Sequence, residues 1–394
     1  MSLNRRTFLA ATALGSTRIL GANDRIRCAT IGTGNRGSYL TRQFKELGAE
    51  MAAVCDVYEP HLQEGLKAAS TGAHSFVDYR RLLEDRSVDA VIIATPDHLH
   101  AQMLIDSVEA GKDVYVEKPL AHTIEDGFRM VEAVRRTKRV AQIGTQRRSY
   151  PLYQEAKRIL DSGVTGPIRL VNAWWTNQLK SLNPRRIEGK LDWDLFLGPA
   201  PRRPVDPLRY FNWLQFYDYS LGYPIGQAAH IADGVQWMMN SSYPSAVTCS
   251  GGRVNLDGGE IPETGSMSVE FPENYLMVFT LSYKAMRYRA CNDQMQQFHG
   301  ANARFDLGRE SYALYPATTD VEVKASQERR EPDTFESASN AHIRHFLECV
   351  RARKEPNSTI EMGQYTNVVC CMAMESMRKG RRVRWNTEEK RMEG

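Results

Sequence analysis

Residues 28–37, CATIGTGNRG, constrain the fold of this chain more than any other stretch. A short apolar run ends at Gly32, and Gly32, Gly34 and Gly37 follow the spacing G-x-G-x-x-G. In a strand–turn–helix unit, the first glycine allows a sharp turn and the second lets a pyrophosphate approach the backbone. The third lets the helix pack closely on the strand. The pattern therefore predicts a dinucleotide site at the N-terminus of the following helix.

A second apolar run, residues 51–54, leads to Asp56, which lies 24 positions after Gly32. An acidic residue at the end of the second strand can bind the ribose hydroxyls of NAD, and it would repel the 2′-phosphate of NADP. We therefore expect NAD, with NADP as the less favoured cofactor. A simpler interpretation, in which Asp56 only caps the next helix, stays open.

Strand-like and helix-like segments alternate from residue 27 to residue 144, which predicts an α/β fold with a doubly wound parallel sheet over residues 24–147. Ligands bind at the carboxyl ends of the strands in such a sheet. The candidate cofactor residues lie in the glycine turn and at those strand ends. They are Gly32, Thr33, Gly34, Asn35, Arg36, Gly37, Asp56, Thr95, Pro96, His98, His100, Glu117, Lys118 and Gln146.

Residues 148–394 have a different pattern. Segments 245–254, 265–271, 275–282 and 285–291 resemble successive strands with short Gly-, Pro- or Asn-containing connections. They predict an α+β domain with an open, mostly antiparallel sheet. Aromatic residues are frequent before and within this region, and flat aromatic faces suit sugar rings, although a single aromatic residue is more often part of a core.

The amino end has the pattern of a twin-arginine export signal over residues 1–22, with Arg5 and Arg6 before Phe8 and Leu9. This pattern predicts a periplasmic or otherwise exported protein, while a disordered tail is the alternative. The formal charge of +4 gives no reason to expect a nucleic-acid partner, and no apolar run is long enough for a membrane span. Seven cysteines without a C-x-x-C motif predict neither a disulfide framework nor a metal site.

Together, IGTGNRG, ATPDHLHA, VEKPLA and IGTQRR resemble the Gfo/Idh/MocA family, the oxidoreductases related to glucose–fructose oxidoreductase and inositol dehydrogenase. The resemblance covers nearly the whole chain after the export signal. It implies a nicotinamide cofactor, a carbohydrate-like small-molecule substrate and a Rossmann domain followed by an open-sheet domain. It also implies that the C-terminal helix packs back on the Rossmann domain. An exposed sheet face suits a homo-oligomer, by analogy.

The candidate catalytic residues are Lys118 and His230. Lys118 lies at a strand end beside the expected nicotinamide, where it could orient or deprotonate the substrate hydroxyl, or could instead only pair with Glu117 or a phosphate. His230 matches the acid/base histidine of the family, but Gly226 stands where the family usually has an aspartate. The expected carboxylate partner is therefore missing. The candidate substrate-binding residues are Trp174, Tyr223, Gln227, His230 and Asp233.

Three functions remain open at this stage. The first is hydride transfer from a carbohydrate or polyol hydroxyl to NAD. The second is a glycoside hydrolase or lyase that uses a tightly bound NAD⁺, recycled in each turnover by oxidation and elimination. The third is a sugar-binding protein that has lost catalysis, which the glycine at position 226 would allow.

Overall fold

The fold was analysed in a computed structural model, which describes residues 25–179, 181–183, 185–254, 256–285, 293–318, 323–331 and 334–393. The export signal predicted over residues 1–22 lies outside the described residues, as does most of the strand predicted over 285–291. Within the described part of the chain, no helix is long and apolar enough to cross a bilayer.

The first domain contains a six-stranded sheet in which every strand pair is parallel. Its strands are β1 (Arg27–Ile31), β2 (Glu50–Cys55), β3 (His74–Phe76), β4 (Ala90–Ile93), β5 (Asp113–Val116) and β6 (Ala141–Ile143). Its helices are α1 (Asn35–Glu46), α2 (Glu59–Ala68), α3 (Tyr79–Leu83), α4 (His100–Glu109) and α5 (Ile124–Thr137). Two 3₁₀ helices cover Asp97–Leu99 and Gln146–Ser149. The spatial order is β3-β2-β1-β4-β5-β6, so the strand order reverses between β1 and β4. The predicted doubly wound sheet is confirmed, and this reversal is where such sheets bind ligands.

The sequence explains this sheet. All four residues of β4, AVII, are buried, as expected for a strand that is covered by helices on both faces. The helix α5 begins where Thr123 accepts a hydrogen bond from the backbone N–H of Asp126 (3.1 Å). Because all six strands are parallel, their carboxyl ends lie at the same edge of the sheet, and the loops at that edge carry the candidate site residues.

The second domain is built around a ten-stranded sheet. Its strands are β7 (Ile168–Thr176), β8 (Ala246–Gly251), β9 (Thr264–Phe271), β10 (Tyr275–Ser282), β11 (Gln294–Gly300), β12 (Ala303–Gly308), β13 (Ser311–Pro316), β14 (Gln327–Arg330), β15 (Val383–Asn386) and β16 (Arg391–Glu393). Its helices are α6 (Pro151–Asp161), α7 (Trp193–Leu197), α8 (Pro207–Phe211), α9 (Gly222–Met238), α10 (Thr334–Ala352) and α11 (Ile360–Lys379), with a 3₁₀ helix at Trp213–Gln215.

Neighbouring strands run in the order β14-β13-β12-β11-β7-β10-β9-β8-β15-β16, and β7 pairs with β10 in parallel while the other pairs are antiparallel. This confirms the mostly antiparallel sheet. Burial alternates along β10, where Tyr275, Met277 and Phe279 are buried and Leu276 and Val278 are half-buried. One face of the sheet therefore carries the core that α9 and α11 cover, and the other face is open.

The last two long helices join the domains. Phe346 of α10 packs edge-to-face on Phe44 and Tyr115, with ring centroids 6.0 and 5.9 Å apart. The helix α11 begins with Ile360 in the core of the parallel sheet and continues into the core of the second domain, where Val368 is fully buried. The C-terminal part of the chain thus contributes to both cores.

Residues 185–219 leave the second domain and cross the first, and we call this segment the strap. The backbone N–H of Asp192 donates to the carbonyl of Val57 (2.9 Å). The backbone N–H of Glu59 donates to the carbonyl of Lys190 (2.9 Å), and Tyr58 forms a β-bridge with Leu191. The strap is therefore attached by main-chain hydrogen bonds to the start of α2.

Candidate active site

The glycine turn between β1 and α1 has the close packing that its sequence predicts. A Cβ atom on Gly37 would lie 1.7 Å from the carbonyl oxygen of Gly32, so only glycine allows this contact. Gly32 has a φ of +85°, a left-handed conformation that side chains disfavour. A Cβ on Gly34 would meet nothing closer than 3.7 Å, because this residue faces a cavity.

That cavity, which we call the turn cavity, has a volume of about 840 Å³. Gly32, Gly34, Asn35 and Arg36 line one side of it, together with Asp56. The backbone N–H groups at the start of α1 favour a negatively charged ligand there, as at other helix N-termini. The open backbone and the free volume fit a pyrophosphate.

Asp56 is held rigidly at the end of β2. Its Oδ2 accepts from the backbone N–H of Thr33 (2.7 Å), and its Oδ1 accepts from the backbone N–H of Tyr58 (2.9 Å). Burial raises the pKa of Asp56, while His61 and these hydrogen bonds act in the opposite direction. The Oδ1 of Asp56 retains a lone pair for a ribose hydroxyl, so the structure fits the predicted role of this residue.

Strap residues form the opposite wall of the turn cavity. Phe196, Gly198 and Tyr210 line it together with residues of the parallel sheet. Phe196 also accepts a hydrogen bond on its carbonyl from His98 Nε2, in the tautomer that carries the proton there (3.0 Å). A ligand in the turn cavity therefore lies between the strand ends and a cover from the second domain.

A second cavity of about 520 Å³, the lysine cavity, adjoins the first. The two share residues on their walls, including Arg36, Thr95, Trp213 and Tyr223. A molecule as long as a dinucleotide can therefore extend from the turn cavity towards Lys118.

Lys118 follows β5 and points into the lysine cavity. Its Nζ donates a hydrogen bond to the carbonyl oxygen of Gly226 in α9 (3.1 Å). Burial lowers the pKa of Lys118, and Glu117 and Asp97 oppose that effect. Glu117 in turn accepts from Arg36 Nε (2.7 Å), so it is already neutralised. The arrangement favours an amine that can lose its proton more easily than an exposed lysine.

His230 lies on the same wall, one turn of α9 after Gly226. Its ring stacks on Trp175, with centroids 5.9 Å apart. Burial, and then the charges of Lys118 and Arg147, hold the pKa of His230 well below its usual value. Its Nδ1 is buried without a hydrogen-bond partner among the described residues. The ring itself lines the lysine cavity, where a neutral imidazole can hydrogen-bond to a ligand.

Two family models match this chain. One, "Oxidoreductase family, NAD-binding Rossmann fold", matches residues 26–145, and the other, "Oxidoreductase family, C-terminal alpha/beta domain", matches residues 189–385. The chain belongs to the Gfo/Idh/MocA oxidoreductase family. Its first domain is an NAD-binding Rossmann domain, as the glycine turn and Asp56 predicted.

Curated relatives of this Gfo/Idh/MocA protein include inositol dehydrogenases. The scyllo-inositol 2-dehydrogenase (NAD(+)) of Bacillus subtilis (strain 168) is 35% identical over 143 residues, which cover 36% of this chain and 42% of that protein. The inositol 2-dehydrogenase of Salmonella typhimurium (strain LT2) is 35% identical over 150 residues, 37% of this chain and 45% of that protein. The matches thus span less than half the length of these relatives.

Solved structures agree over a longer part of the chain. A levoglucosan dehydrogenase in complex with NADH and levoglucosan has a TM-score of 0.73 at 17% identity, and covers 92% of this chain and 99% of its own. The WlbA dehydrogenase from Bordetella pertussis, in complex with NADH and UDP-GlcNAcA, has a TM-score of 0.70 at 19% identity with the same coverage. At these identities the likeness shows the fold.

The structure brings most of the predicted site residues to the two cavities. The predicted residues that line one or both are Gly32, Gly34, Asn35, Arg36, Asp56, Thr95, Pro96, His98, Glu117, Lys118, Gln146, Tyr223, Gln227 and His230. Three others act behind the walls. Thr33 bonds to Asp56 and Gly37 packs under Gly32, while the ring nitrogens of His100 lie 2.9 Å from the carbonyl oxygen of Pro119 and 3.0 Å from that of Thr95, one of which accepts its N–H in each tautomer.

The structure places two predicted substrate residues away from both cavities. Trp174 lies on the open face of the sheet, because adjacent residues of β7 point to opposite faces and Trp175 takes the inward position. Asp233 is fully enclosed between α9 and the turn after β6, where its Oδ1 accepts from Arg148 Nε (2.8 Å). Its carboxylate is therefore committed to a buried ion pair and is removed from substrate.

Sequence reasoning missed several residues of the lysine cavity. Arg147, Gln294 and Arg309 line it, and so does Trp175, which was considered only as one of a group of aromatic residues for sugar binding. Arg147 could have been selected, because it lies in the turn that follows β6 at the carboxyl edge of the parallel sheet, where ligands bind. The others come from β7, β11 and the end of β12, and no local pattern in those strands indicates a ligand. Among the described residues, no group of three or more His, Cys, Asp or Glu side chains could hold a metal ion.

Proposed function

We propose that this protein is an NAD-dependent oxidoreductase that oxidises a hydroxyl-bearing carbon of a carbohydrate or polyol. The observation that carries the proposal is the pair of adjoining cavities with shared wall residues, in which Asp56 lines one cavity and Lys118 and His230 line the other. The inositol 2-dehydrogenases among its relatives support the substrate class.

We assign the proton transfer to Lys118 and His230. When bound, NAD⁺ supplies the acceptor for the hydride. Lys118 Nζ, with its lowered pKa, accepts the proton of the hydroxyl group on the carbon that is oxidised. The neutral ring of His230 accepts a hydrogen bond from the same or a neighbouring hydroxyl and so orients the substrate for proton transfer to Lys118. A substrate that fills the cavity displaces the water that would otherwise solvate the charged lysine.

The remaining walls suit a sugar. Tyr223 and Trp213 contribute aromatic faces, and Gln227, Gln146 and Asn177 contribute amide groups that can both donate and accept hydrogen bonds. A cavity of about 520 Å³ accepts a monosaccharide beside the nicotinamide ring. These contacts orient the sugar ring but do not distinguish one sugar from another.

The strap favours a second candidate function. In a glycoside hydrolase or lyase of the oxidation–elimination type, the cofactor is reduced and reoxidised within one turnover and need not leave. Main-chain hydrogen bonds from Asp192 and to Lys190 hold a cover over the turn cavity, which would slow the release of a bound dinucleotide. A retained cofactor suits that chemistry better than it suits a dehydrogenase that exchanges NADH for NAD⁺.

One experiment separates these functions. The purified protein is assayed for retained dinucleotide, and it is then incubated with polyols, sugars and aryl glycosides, with and without added NAD⁺. NADH that accumulates in proportion to added NAD⁺ supports the oxidoreductase. Many turnovers of aglycone release without added NAD⁺ support the second function. Sugar binding without chemistry, unchanged in Lys118→Met, would instead indicate a sugar-binding protein and contradict both. Lys67→Met, at an exposed lysine of α2, is the matched control.

We further propose that residues 1–22 direct export by the twin-arginine route. The support is the sequence pattern itself, Arg5 and Arg6 followed by Phe8 and Leu9. Residues 1–30 fused to a folded reporter should carry it to the periplasm. Changing both arginines to lysine should leave the reporter in the cytoplasm, and unchanged export would contradict the proposal.

We also propose that the open face of the second sheet binds another copy of the chain. Leu170 pairs with Leu276, and Trp174 pairs with Met295 and Thr280, so these side chains share the open face. The leucine, tryptophan and methionine side chains give this face apolar patches that a second sheet could cover. Light scattering should give a mass of two or more chains, and Trp174→Glu should reduce it; a monomeric wild-type protein would contradict the proposal.

A further inference from the structure

More cations than carboxylates line the lysine cavity, and one of its arginines has no carboxylate partner among the described residues. Four cations line the cavity, namely Arg36, Lys118, Arg147 and Arg309. Arg36 pairs with Glu117 at 2.7 Å, and Arg309 Nη1 donates to Asp293 at 3.2 Å. Arg147 makes no ion pair with a carboxylate among the described residues.

Arg147 is nevertheless held in a fixed position. Its Cζ lies 5.5 Å from the ring centroid of Tyr153 and 5.5 Å from that of Trp175. Its Nη2 also donates to Oε1 of Gln294. Two aromatic faces and an amide oxygen orient a guanidinium without neutralising it. Its other N–H donors are available for a ligand, since the guanidinium carries five in all.

The remaining carboxylates near this part of the cavity are already engaged. Asp97 accepts from the hydroxyl of Ser220 (2.8 Å) and from the backbone N–H of Leu221 (3.2 Å). Asp233, whose charge is within range of Arg147, is bonded to Arg148 behind the wall. A charged group that is partly buried requires a partner, and the described residues provide none of opposite charge for Arg147.

Gly226 contributes to the excess of positive charge in the lysine cavity, because it places no carboxylate beside Lys118. Lys118 meets a neutral carbonyl at this position, and a Cβ atom on Gly226 would touch nothing within 4 Å. The side of α9 that faces Lys118 therefore has open space and no carboxylate. His230, which stacks on the same indole ring as Arg147, adds no negative charge.

We propose that Arg147 binds a carboxylate of the substrate, and hence that the substrate is a sugar acid. The inference rests on the proposed function, whose substrate class it narrows. A planar guanidinium fork matches a planar carboxylate in two parallel hydrogen bonds. The two aromatic rings that Arg147 contacts hold its guanidinium at the wall of the cavity, and the acid supplies the negative charge that Gly226 leaves out.

Calorimetry on the NAD⁺-loaded protein tests this proposal with matched pairs of sugars. The pairs are D-glucuronate with D-glucose, and D-galacturonate with D-galactose, and glucose 6-phosphate probes a non-planar anion. We expect at least one acid to bind ten or more times tighter than its neutral counterpart. Equal or weaker binding of the acid in both pairs would overturn the proposal, as would tighter binding of the phosphate or no binding of any probe.

Variants show whether Arg147 is responsible. Arg147→Gln should remove the advantage of the acid and change the Kd of the neutral sugar less than threefold. Arg147→Lys should retain part of the advantage, because it keeps the charge and loses the fork. Gly226→Asp should weaken acid binding, because it places a carboxylate in the cavity. Arg42→Gln, at an exposed position of α1, makes the same change in net charge outside both cavities and should have no effect.

The result is separable from the proposed function. Acid binding that depends on Arg147, without NADH formation from any sugar, would support the subsite and contradict the oxidoreductase. The protein could instead form NADH from neutral sugars and from sugar acids, with Arg147→Gln lowering the rate equally for both. That result would support the oxidoreductase and overturn the carboxylate subsite. Cofactor binding by each variant shows that it has folded.

Discussion

The turn cavity and the lysine cavity adjoin each other, but they are assembled in different ways. Much of the turn cavity comes from consecutive strand ends of one domain, and its carboxylate, Asp56, is fixed by two backbone N–H groups. The lysine cavity combines β5, β6, β7, α9, β11 and the end of β12, and its basic groups keep unused donors or lone pairs. The first is pre-organised for a ligand shared by many enzymes, whereas the second leaves the choice of substrate to a few side chains.

The largest effect is expected from the glycine turn. Gly37→Ala places a Cβ 1.7 Å from the carbonyl oxygen of Gly32, so β1 and α1 must separate. We expect a destabilisation of about 4 kcal/mol or more and loss of soluble protein. Gly34→Ala should fold, since its Cβ faces the cavity, but should bind NAD more weakly. Yield and thermal unfolding measure the difference, and a fully stable Gly37→Ala would contradict the packing described here.

Removal of the Lys118 amine should lower the rate of catalysis without weakening NAD binding in the turn cavity. Lys118→Met is expected to lower kcat by about 10²- to 10⁴-fold, because general acid–base transfer contributes that much. Lys118→Arg should be similarly inactive, since arginine keeps its proton. The Kd of NAD, measured by fluorescence, should change little in either variant. Activity close to that of the wild type in Lys118→Arg would exclude proton transfer by this residue.

Asp56 should control the choice between NAD and NADP, and its substitution should have a smaller effect than that of Lys118. Asp56→Asn places an amide N–H₂ against the backbone N–H of Thr33 or Tyr58, and it removes the charge that repels a 2′-phosphate. We expect the Kd of NAD to rise about tenfold, with a smaller change for NADP. Parallel titrations with both cofactors give the ratio, and equal weakening of both would show that Asp56 only supports the fold.

The smallest effect is on stability at acid pH. Burial lowers the pKa of His98 to about 4 and that of His342 to about 3. Both pKa values lie below the unfolded value of about 6.5, so the unfolded chain binds more protons as the pH falls. The free energy of unfolding should therefore decrease below pH 6.5, by up to about 1.4 kcal/mol per pH unit for each histidine.

Thermal unfolding between pH 7.5 and pH 4.5 measures this decrease. His98→Gln should show a shallower slope than the wild type, because one of the titrating groups is gone. His74→Gln, at an exposed position of β3, should keep the wild-type slope. A slope that does not differ between wild type and His98→Gln would mean that His98 is not held neutral in the fold.

The parallel sheet could be predicted from the sequence because its signals are local. Gly32 and Asp56 belong to a short motif whose spacing follows from one strand–turn–helix unit, and Lys118 lies where a proline ends a strand. Such features need no knowledge of distant residues. The family resemblance added His230, which the motif alone would not have selected from nine histidines.

The residues that the sequence did not place depend on long-range register. Whether Trp174 or Trp175 faces inward is decided by pairing with β10 and β11, more than 100 residues away. Asp233 is removed from the cavity by Arg148, 85 positions earlier in the chain. The position of Arg147 between two aromatic rings likewise requires β7 and α6 to be in place.

Finally, α11 has a consequence for how the protein can be divided. Its first residue, Ile360, belongs to the core of the parallel sheet, and Val368 belongs to the core of the second domain. Between them, Gln364 donates to the carbonyl of Ile124 and Asn367 donates to the carbonyl of Thr123 (3.0 Å each). A truncation before residue 360 would open both domains at once. The Rossmann unit is thus not an autonomous module, and any recombination between relatives must exchange the C-terminal helix together with the first 150 residues.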